Sequence, residues 1–172
     1  EYRTLIASNS VVDFDTDITL YAKWNPITYT LTYDNNTGSG CTTKEVTAGS
    51  TYGTLCTPTK TGYLFSGWYN KDNIKVNDST AVTGNDTLKA SWTAITYTVA
   101  FNGNGSTSGS IASIKCTFDQ NCTLSANTFA RTGYIYNGWN TNSTATGTSY
   151  ANNATVKNLT TVSDATVTLY AK

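Results

Sequence analysis

The sequence predicts an all-β chain, or nearly so, built from tandem small repeat domains with little or no helix. Three observations predict it. In Ile27-Thr28-Tyr29-Thr30-Leu31-Thr32-Tyr33 every odd residue is large and apolar and every even one is threonine. Ile95, Tyr97, Val99 and Phe101 repeat that alternation, and a period of two marks a strand with one buried face. Second, three anchors return in one order. Besides those strands, Gly62-Tyr63-Leu64-Phe65-Ser66-Gly67-Trp68 returns as Gly133-Tyr134-Ile135-Tyr136-Asn137-Gly138-Trp139. Leu20-Tyr21-Ala22-Lys23-Trp24 returns as Leu88-Lys89-Ala90-Ser91-Trp92 and again as Leu169-Tyr170-Ala171-Lys172. Third, threonine and tyrosine, which favour strands, and asparagine and glycine, which favour turns, dominate the composition.

Each unit reads in the same sequence of elements. The alternating first strand is followed by a turn at Asp34–Gly38 or Asn102–Gly105. A second strand fits Thr43–Ala48, hairpinned through Gly49-Ser50 to Thr51–Leu55. Its match is Ile114–Phe118, a turn at Asp119-Gln120, and Asn121–Leu124. Tyr63–Trp68 is too short for a helix, and the glycine before the tryptophan opposes one. It reads as strand or tight turn with Phe65 and Trp68 packed inward. Val82 with Asp86–Trp92, and Val156 with Val167–Lys172, read as closing strands. One short helical turn per unit is expected near Asn70–Ile74 or just before Gly62.

The trailing tryptophans set the boundaries. Residues 25–92 form one repeat domain, residues 93–172 a second, and residues 1–24 the C-terminal part of an upstream repeat. Val12 and the Ile18/Leu20 pair would be that repeat's last strand. The other reading of 1–24 is an extended tail pairing with the neighbouring unit. On the first reading the chain is a segment of a longer protein. The second unit has ten more residues between Trp139 and Leu169 than the first has between Trp68 and Leu88. An insertion with both flanks intact reads as a surface loop that lengthened.

Composition excludes several function classes. Net charge is zero and 13% of residues are charged, so nothing steers the chain to nucleic acid or an anionic membrane. No apolar run is long enough to insert into a bilayer. There is no histidine, which removes the usual general base and commonest transition-metal ligand. No repeated carboxylate pair suggests catalysis. We therefore expect no catalytic residue, no cofactor and no enzyme.

The order of anchors resembles the Listeria–Bacteroides repeat, the B repeat of internalin-type surface proteins. It is carried by Ile95–Gly105, Thr132–Trp139 and Leu169–Lys172, and by Ile27–Gly38, Thr61–Trp68 and Leu88–Trp92. The resemblance implies a small β-grasp-like fold and a place in secreted or surface-anchored bacterial proteins, with no catalytic residues. Cysteine is not typical of that family, and Cys56 stands where proline is expected.

Each unit has two cysteines, Cys41 and Cys56, then Cys116 and Cys122. An even, equally shared count in a surface-protein context favours disulfides. Four cysteines allow three connectivities. Cys41–Cys56 with Cys116–Cys122 is preferred, since each unit then closes on itself. Cys116 and Cys122 flank a turn, and Val46 and Tyr52 hold roughly their places in the first unit. The rival readings are free buried thiols and a metal. Neither spacing is C-x-x-C, and without histidine a zinc site would need all four thiolates.

Other candidates are weaker. Asp13, Asp15 and Asp17 alternate and would share one face of a strand, which could attract calcium. The run lacks the glycine and glutamate of an EF-hand loop, and the other copies lack it, so a solvated strand or turn is preferred and no metal is expected. Lys23 and Lys172 could be sought in an isopeptide bond, but neither has an obvious acidic partner. Asn77, Asn85, Asn142, Asn153 and Asn158 head glycosylation sequons. Tyrosine and tryptophan faces could stack on sugars, yet Trp68, Trp139, Tyr63 and Tyr134 recur at fixed places, which reads as core. Tyr69, Tyr136 and Tyr150 are the binding candidates.

The leading expectation is a non-enzymatic extracellular segment of a bacterial cell-surface protein, adhesin stalk or filament, acting as a disulfide-stapled spacer. Its partners would be neighbouring repeats or subunits of the same protein. The alternative is an adhesive module that binds a host-surface protein or glycan, or adds strands between subunits.

Overall fold

The computed structural model describes residues 9, 19 and 21–172. Val12, Asp13, Asp15, Asp17, Ile18 and Leu20 lie outside them, and with them the calcium reading and the upstream strand. The described chain is all-β, with no helix.

Five strands build the first sheet: β1 (Thr28–Asp34), β2 (Lys44–Thr47), β3 (Tyr63–Tyr69), β4 (Lys75–Val76) and β5 (Asp86–Ala94). Their order is β2-β1-β5-β3-β4, with β1 and β5 parallel at the centre and the other pairs antiparallel. The second sheet repeats the plan with β6 (Thr96–Asn102), β7 (Ile114–Thr117), β9 (Trp139–Asn140), β10 (Ser149–Tyr150) and β12 (Thr166–Ala171), in the order β10-β9-β12-β6-β7. A separate pair joins β8 (Cys122–Thr123) to β11 (Thr155–Val156).

The alternation read in the sequence is the burial pattern. Leu31 and Tyr33 of β1, and Tyr97 and Val99 of β6, are buried, while the threonines between them are half-buried or exposed. Each core then closes over a tryptophan. Trp68 packs on Tyr33 and Phe65, and Trp139 on Phe101, Phe129 and Tyr136. Leu88 and Leu169, from the closing strands, are fully buried beside them.

Two local expectations need correction. The chain after Gly49-Ser50 does not fold back on β2. Thr51 bridges to Ala81, and β8 likewise pairs with β11 instead of β7. β2 reaches that segment instead through the side chain of its own Lys44, whose ammonium donates to the carbonyls of Tyr52 and Thr54. Nor is there a helical turn at Asn70–Ile74. Asn70 Oδ1 accepts from the Asp72 and Ile74 N–H groups, and Asn73 has φ 57°, so this is a side-chain-capped hairpin loop. Before Gly62 there is only a turn, closed by Tyr63 N–H to the Lys60 carbonyl.

The ten-residue insertion is two insertions. Trp68 pairs with Val76, eight residues on, whereas the partner of Trp139 is Tyr150, eleven on. Val82 precedes Leu88 by six residues, whereas Val156 precedes Leu169 by thirteen. The first insertion wraps around Asn140. Its buried amide donates to the Gly147 carbonyl and Ser149 Oγ, and accepts from the Asn142 and Gly147 N–H groups. That leaves its polar atoms satisfied, as burial demands. The second insertion reaches the boundary between the two sheets.

Candidate functional site

The boundary is one residue long. β5 ends at Ala94 in the first sheet and β6 begins at Thr96 in the second, with Ile95 between them. Ile95 is 3% exposed. Its N–H donates to the Gly62 carbonyl and its carbonyl accepts from Phe118 N–H, so its two backbone groups bond to different units. Phe118 lies over Gly62, where any Cβ would run into the ring, and packs edge-on against Tyr63. Tyr63 Oη donates to Asp119 Oδ2 at 2.7 Å. Asn158, in the second insertion, donates from Nδ2 to Asp119 Oδ1 and accepts from Asp119 N–H. Thr161 and Ser163 of the same insertion line the junction cavity beside Ile95.

These contacts set the local electrostatics. The Asn158 and Tyr63 hydrogen bonds hold the Asp119 carboxyl below its ordinary value. The same bond to Asp119 raises the Tyr63 phenol. Elsewhere, burial followed by the 2.6 Å bond to Asp86 pushes Tyr52 up to about 12, and burial alone pushes Tyr136 up to about 12.

Trp92 plugs the first unit at this junction. It pairs with Phe65 across β3, stacks edge-on with it, and donates from Nε1 to the Asn35 carbonyl. Gly38 has no side chain because a Cβ there would strike the indole. Lys60 lies over the rings of Tyr63 and Trp92.

The second unit has the matching place. Asn36 donates to the Ala90 carbonyl and Asn104 to that of Ala171. Thr59 bridges to Ser39 and Ala130 to Ser108. Arg131 lies over Tyr134 as Lys60 lies over Tyr63. Here Lys172 N–H donates to the Gly138 carbonyl and the Lys172 carbonyl accepts from Asn137 N–H. Beside it lies a groove of about 260 Å³ lined by Gly103, Phe129, Ala130, Arg131, Tyr134 and Tyr136, among others. Tyr134 and Ile135 are exposed, Ile135 at 93%.

The disulfides are Cys41–Cys56 and Cys116–Cys122, each within one unit. The Cys56 peptide is gripped from two sides, its carbonyl by Trp68 Nε1 and its N–H by Tyr33 Oη. By register Cys116 does take the place of Val46, the one opposite Tyr97 and the other opposite the matching Tyr29. Leu124, not Cys122, takes the place of Tyr52, since each donates to the carbonyl two residues before a buried valine, Ala154 or Thr80.

Of the tyrosines singled out in the sequence, Tyr69 is half-buried in β3, opposite Lys75 and Lys89. Tyr150 packs against the second core, and Tyr136 against Trp139 with its hydroxyl buried and unpaired. No pattern in the sequence marks the groove, nor the place of Asp119 between the units. Among the described residues no three His, Cys, Asp or Glu side chains cluster as a metal site would need, and no helix is long and apolar enough to cross a membrane.

A sheet plan used twice, closed each time by a tryptophan and joined through one residue, defines a tandem repeat protein. The Listeria–Bacteroides repeat domain matches residues 29–91 and 97–172, and the chain belongs to that family. A protein of Evansella cellulosilytica named "Putative membrane protein" is 33% identical over 146 residues, which are 78% of this chain and 22% of that one. A "Putative Gly-rich membrane protein" of the same organism is 34% identical over 101 residues, 54% of this chain and 12% of that one. The chain thus spans about a fifth or less of the length of these relatives. No solved structure matches it.

Proposed function

We propose that this chain is a non-enzymatic extracellular repeat segment of a bacterial cell-surface protein, an adhesin stalk or filament, and acts as a disulfide-stapled spacer. The observation that carries the reading is the junction. A strand leaves one sheet and enters the next through the single buried residue Ile95, with hydrogen bonds to both sides. Such a joint transmits tension along backbone ladders and resists bending, as a spacer requires. The names of the two relatives support placement at a membrane-bounded surface, and disulfides suit an oxidising exterior.

Pulling single molecules from both ends tests it. Each unit should unfold in its own step, with the 15-residue and 6-residue disulfide loops locked. Reduction should lengthen one step by about 50 Å and the other by about 20 Å at full extension. A smooth, stepless extension at low force would overturn the spacer reading.

A further inference from the structure

The cavity at the joint between the two sheets has a volume of about 680 Å³ and takes its walls from both units. That lies within the range of roughly 300–1,000 Å³ usual for sites that hold a ligand. Part of the lining is apolar, with Leu64, Phe65 and Trp92 side by side at the β3–β5 pairing. The rest is largely hydroxyl. Thr37, Thr57, Thr59 and Thr61 come from the first unit and Thr161 from the second, and all are exposed. None of these hydroxyls bonds to another group among the described residues, so each is open to a ligand. No carboxylate lines the cavity.

The cation of the lining is Lys60. Its Nζ stands 4.1 Å from the centroid of the Tyr63 ring and 6.0 Å from that of Trp92. It pairs with no carboxylate among the described residues. Asp119 lies within its field, but that carboxyl gives its two oxygens to Tyr63 Oη and Asn158 Nδ2. Lys157 acts on Asp119 as well, so two cations face one carboxylate at the joint. The aromatic rings thus hold the Lys60 stem in place while its three N–H donors stay available.

We propose that the joint cavity binds an acidic oligosaccharide, a short chain of uronic-acid pyranoses, with a sugar carboxylate on Lys60 and the sugar hydroxyls on the threonines. A pyranose has apolar C–H faces and hydroxyl edges, and the cavity offers a counterpart to each: Leu64, Phe65 and Trp92 to the faces, the threonines to the edges. A wholly apolar ligand would strip water from those hydroxyls without replacing its hydrogen bonds. A neutral sugar would leave the ammonium unused. A peptide adding as a strand would need open backbone groups, but Ser39 and Thr59 bond to each other and Tyr63–Phe65 are paired with β5. Because Thr161 belongs to the second unit, the site is complete only where two repeats stand in tandem. This goes beyond the spacer reading, which neither requires nor forbids it.

The test is an NMR titration of the whole 172-residue protein with trimers of galacturonate, glucuronate and mannuronate. At least one trimer should shift the Trp92 indole N–H and the Thr161 amide together and to saturation, leaving the Trp68 and Trp139 indoles in place. Methyl-esterifying that trimer should weaken its binding by about tenfold or more, the scale of one hydrogen bond to a charged group. Lys60→Met, which keeps the stem over Tyr63 and removes the charge, should do the same, and Lys60→Arg should restore binding. Thr161→Trp, at an exposed position, should fill the cavity and abolish it. Circular dichroism and the intact disulfides check that each variant folds. No shift with any trimer at millimolar concentration would overturn the proposal. So would equal affinity for acid and ester, or binding that survives Thr161→Trp. None of these outcomes alters the stepwise unfolding on which the spacer reading stands.

Discussion

Trp68 and Trp139 fill matching places in the two cores, yet their indole N–H groups differ. Trp68 donates to the Cys56 carbonyl at 2.7 Å, whereas Trp139 Nε1 is buried with no partner. Replacing each by phenylalanine removes similar volume, but only Trp68→Phe strands a carbonyl. We expect Trp68→Phe to cost about 1–3 kcal/mol more than Trp139→Phe in urea unfolding. A second contrast lies in the turn after the first strand. Asn36 and Thr37 have φ of 46° and 68°, and their counterparts Asn104 and Gly105 have 49° and 86°. A β-branched residue there is strained, and the second unit avoids the strain with glycine. Thr37→Gly should stabilise the first unit by about 0.5–1 kcal/mol, read as a raised melting temperature, with the added freedom of the unfolded glycine setting the upper limit. An unchanged or lowered melting temperature would mean that the strain is not relieved. The need for positive φ was legible in Asn-Gly-Asn-Gly. Its misfit with Thr37 was not, because a turn motif says nothing about which of its residues pays.

The strands were legible as elements wherever one face alternates, because period-two patterning and burial share one cause. Where the chain went after each turn was not legible. Gly49-Ser50 and Asp119-Gln120 look like hairpin turns, but the returning segments pair with Ala81 and Thr155–Val156, thirty or more residues away. No local signal carries that choice. The lengthened stretch after Val156 likewise read as a passive surface loop, while its Asn158 holds Asp119 at the joint. This gives the joint a pH dependence. Asp119 titrates below its ordinary value of 3.8 when folded, so its contribution is present above that value and is lost as pH falls through the lowered one. Tyr63 has the opposite sense. Its raised phenol keeps the joint intact below its ordinary value of 10.0, and ionisation at higher pH breaks the bond. Small-angle scattering should show a constant inter-repeat angle between these limits and a broadened one outside them. Asp119→Asn should flatten the acid limb, and a limb unchanged by that substitution would take Asp119 out of the joint.

Across the whole molecule, the two disulfides act on different units and through loops of different length, so their removal should separate the units in stability. A closed loop of 15 residues constrains the unfolded chain by about 3 kcal/mol, and one of 6 residues by about 2 kcal/mol. Cys41–Cys56 also fixes the peptide that Trp68 and Tyr33 grip, whereas Cys116–Cys122 spans a turn already closed by Gln120 N–H to the Thr117 carbonyl. The first bond therefore supports core packing as well as loop closure. That the cysteines pair within units was legible from their equal sharing. That one pair anchors a tryptophan was not, since the hydrogen bond runs to a backbone carbonyl that no sequence pattern marks. We expect the double variant Cys41→Ser/Cys56→Ser to lower the first unit's transition by roughly 12–24 °C in calorimetry, the scale for a loss of about 3 kcal/mol in a domain of this size. Cys116→Ser/Cys122→Ser should lower the second unit's by less. Because Ile95 is buried between the units, each variant should also drag its neighbour downward, so that the two transitions separate by less than the difference in their own stabilities. Transitions that move with complete independence would show that the joint orients the repeats without coupling their folding.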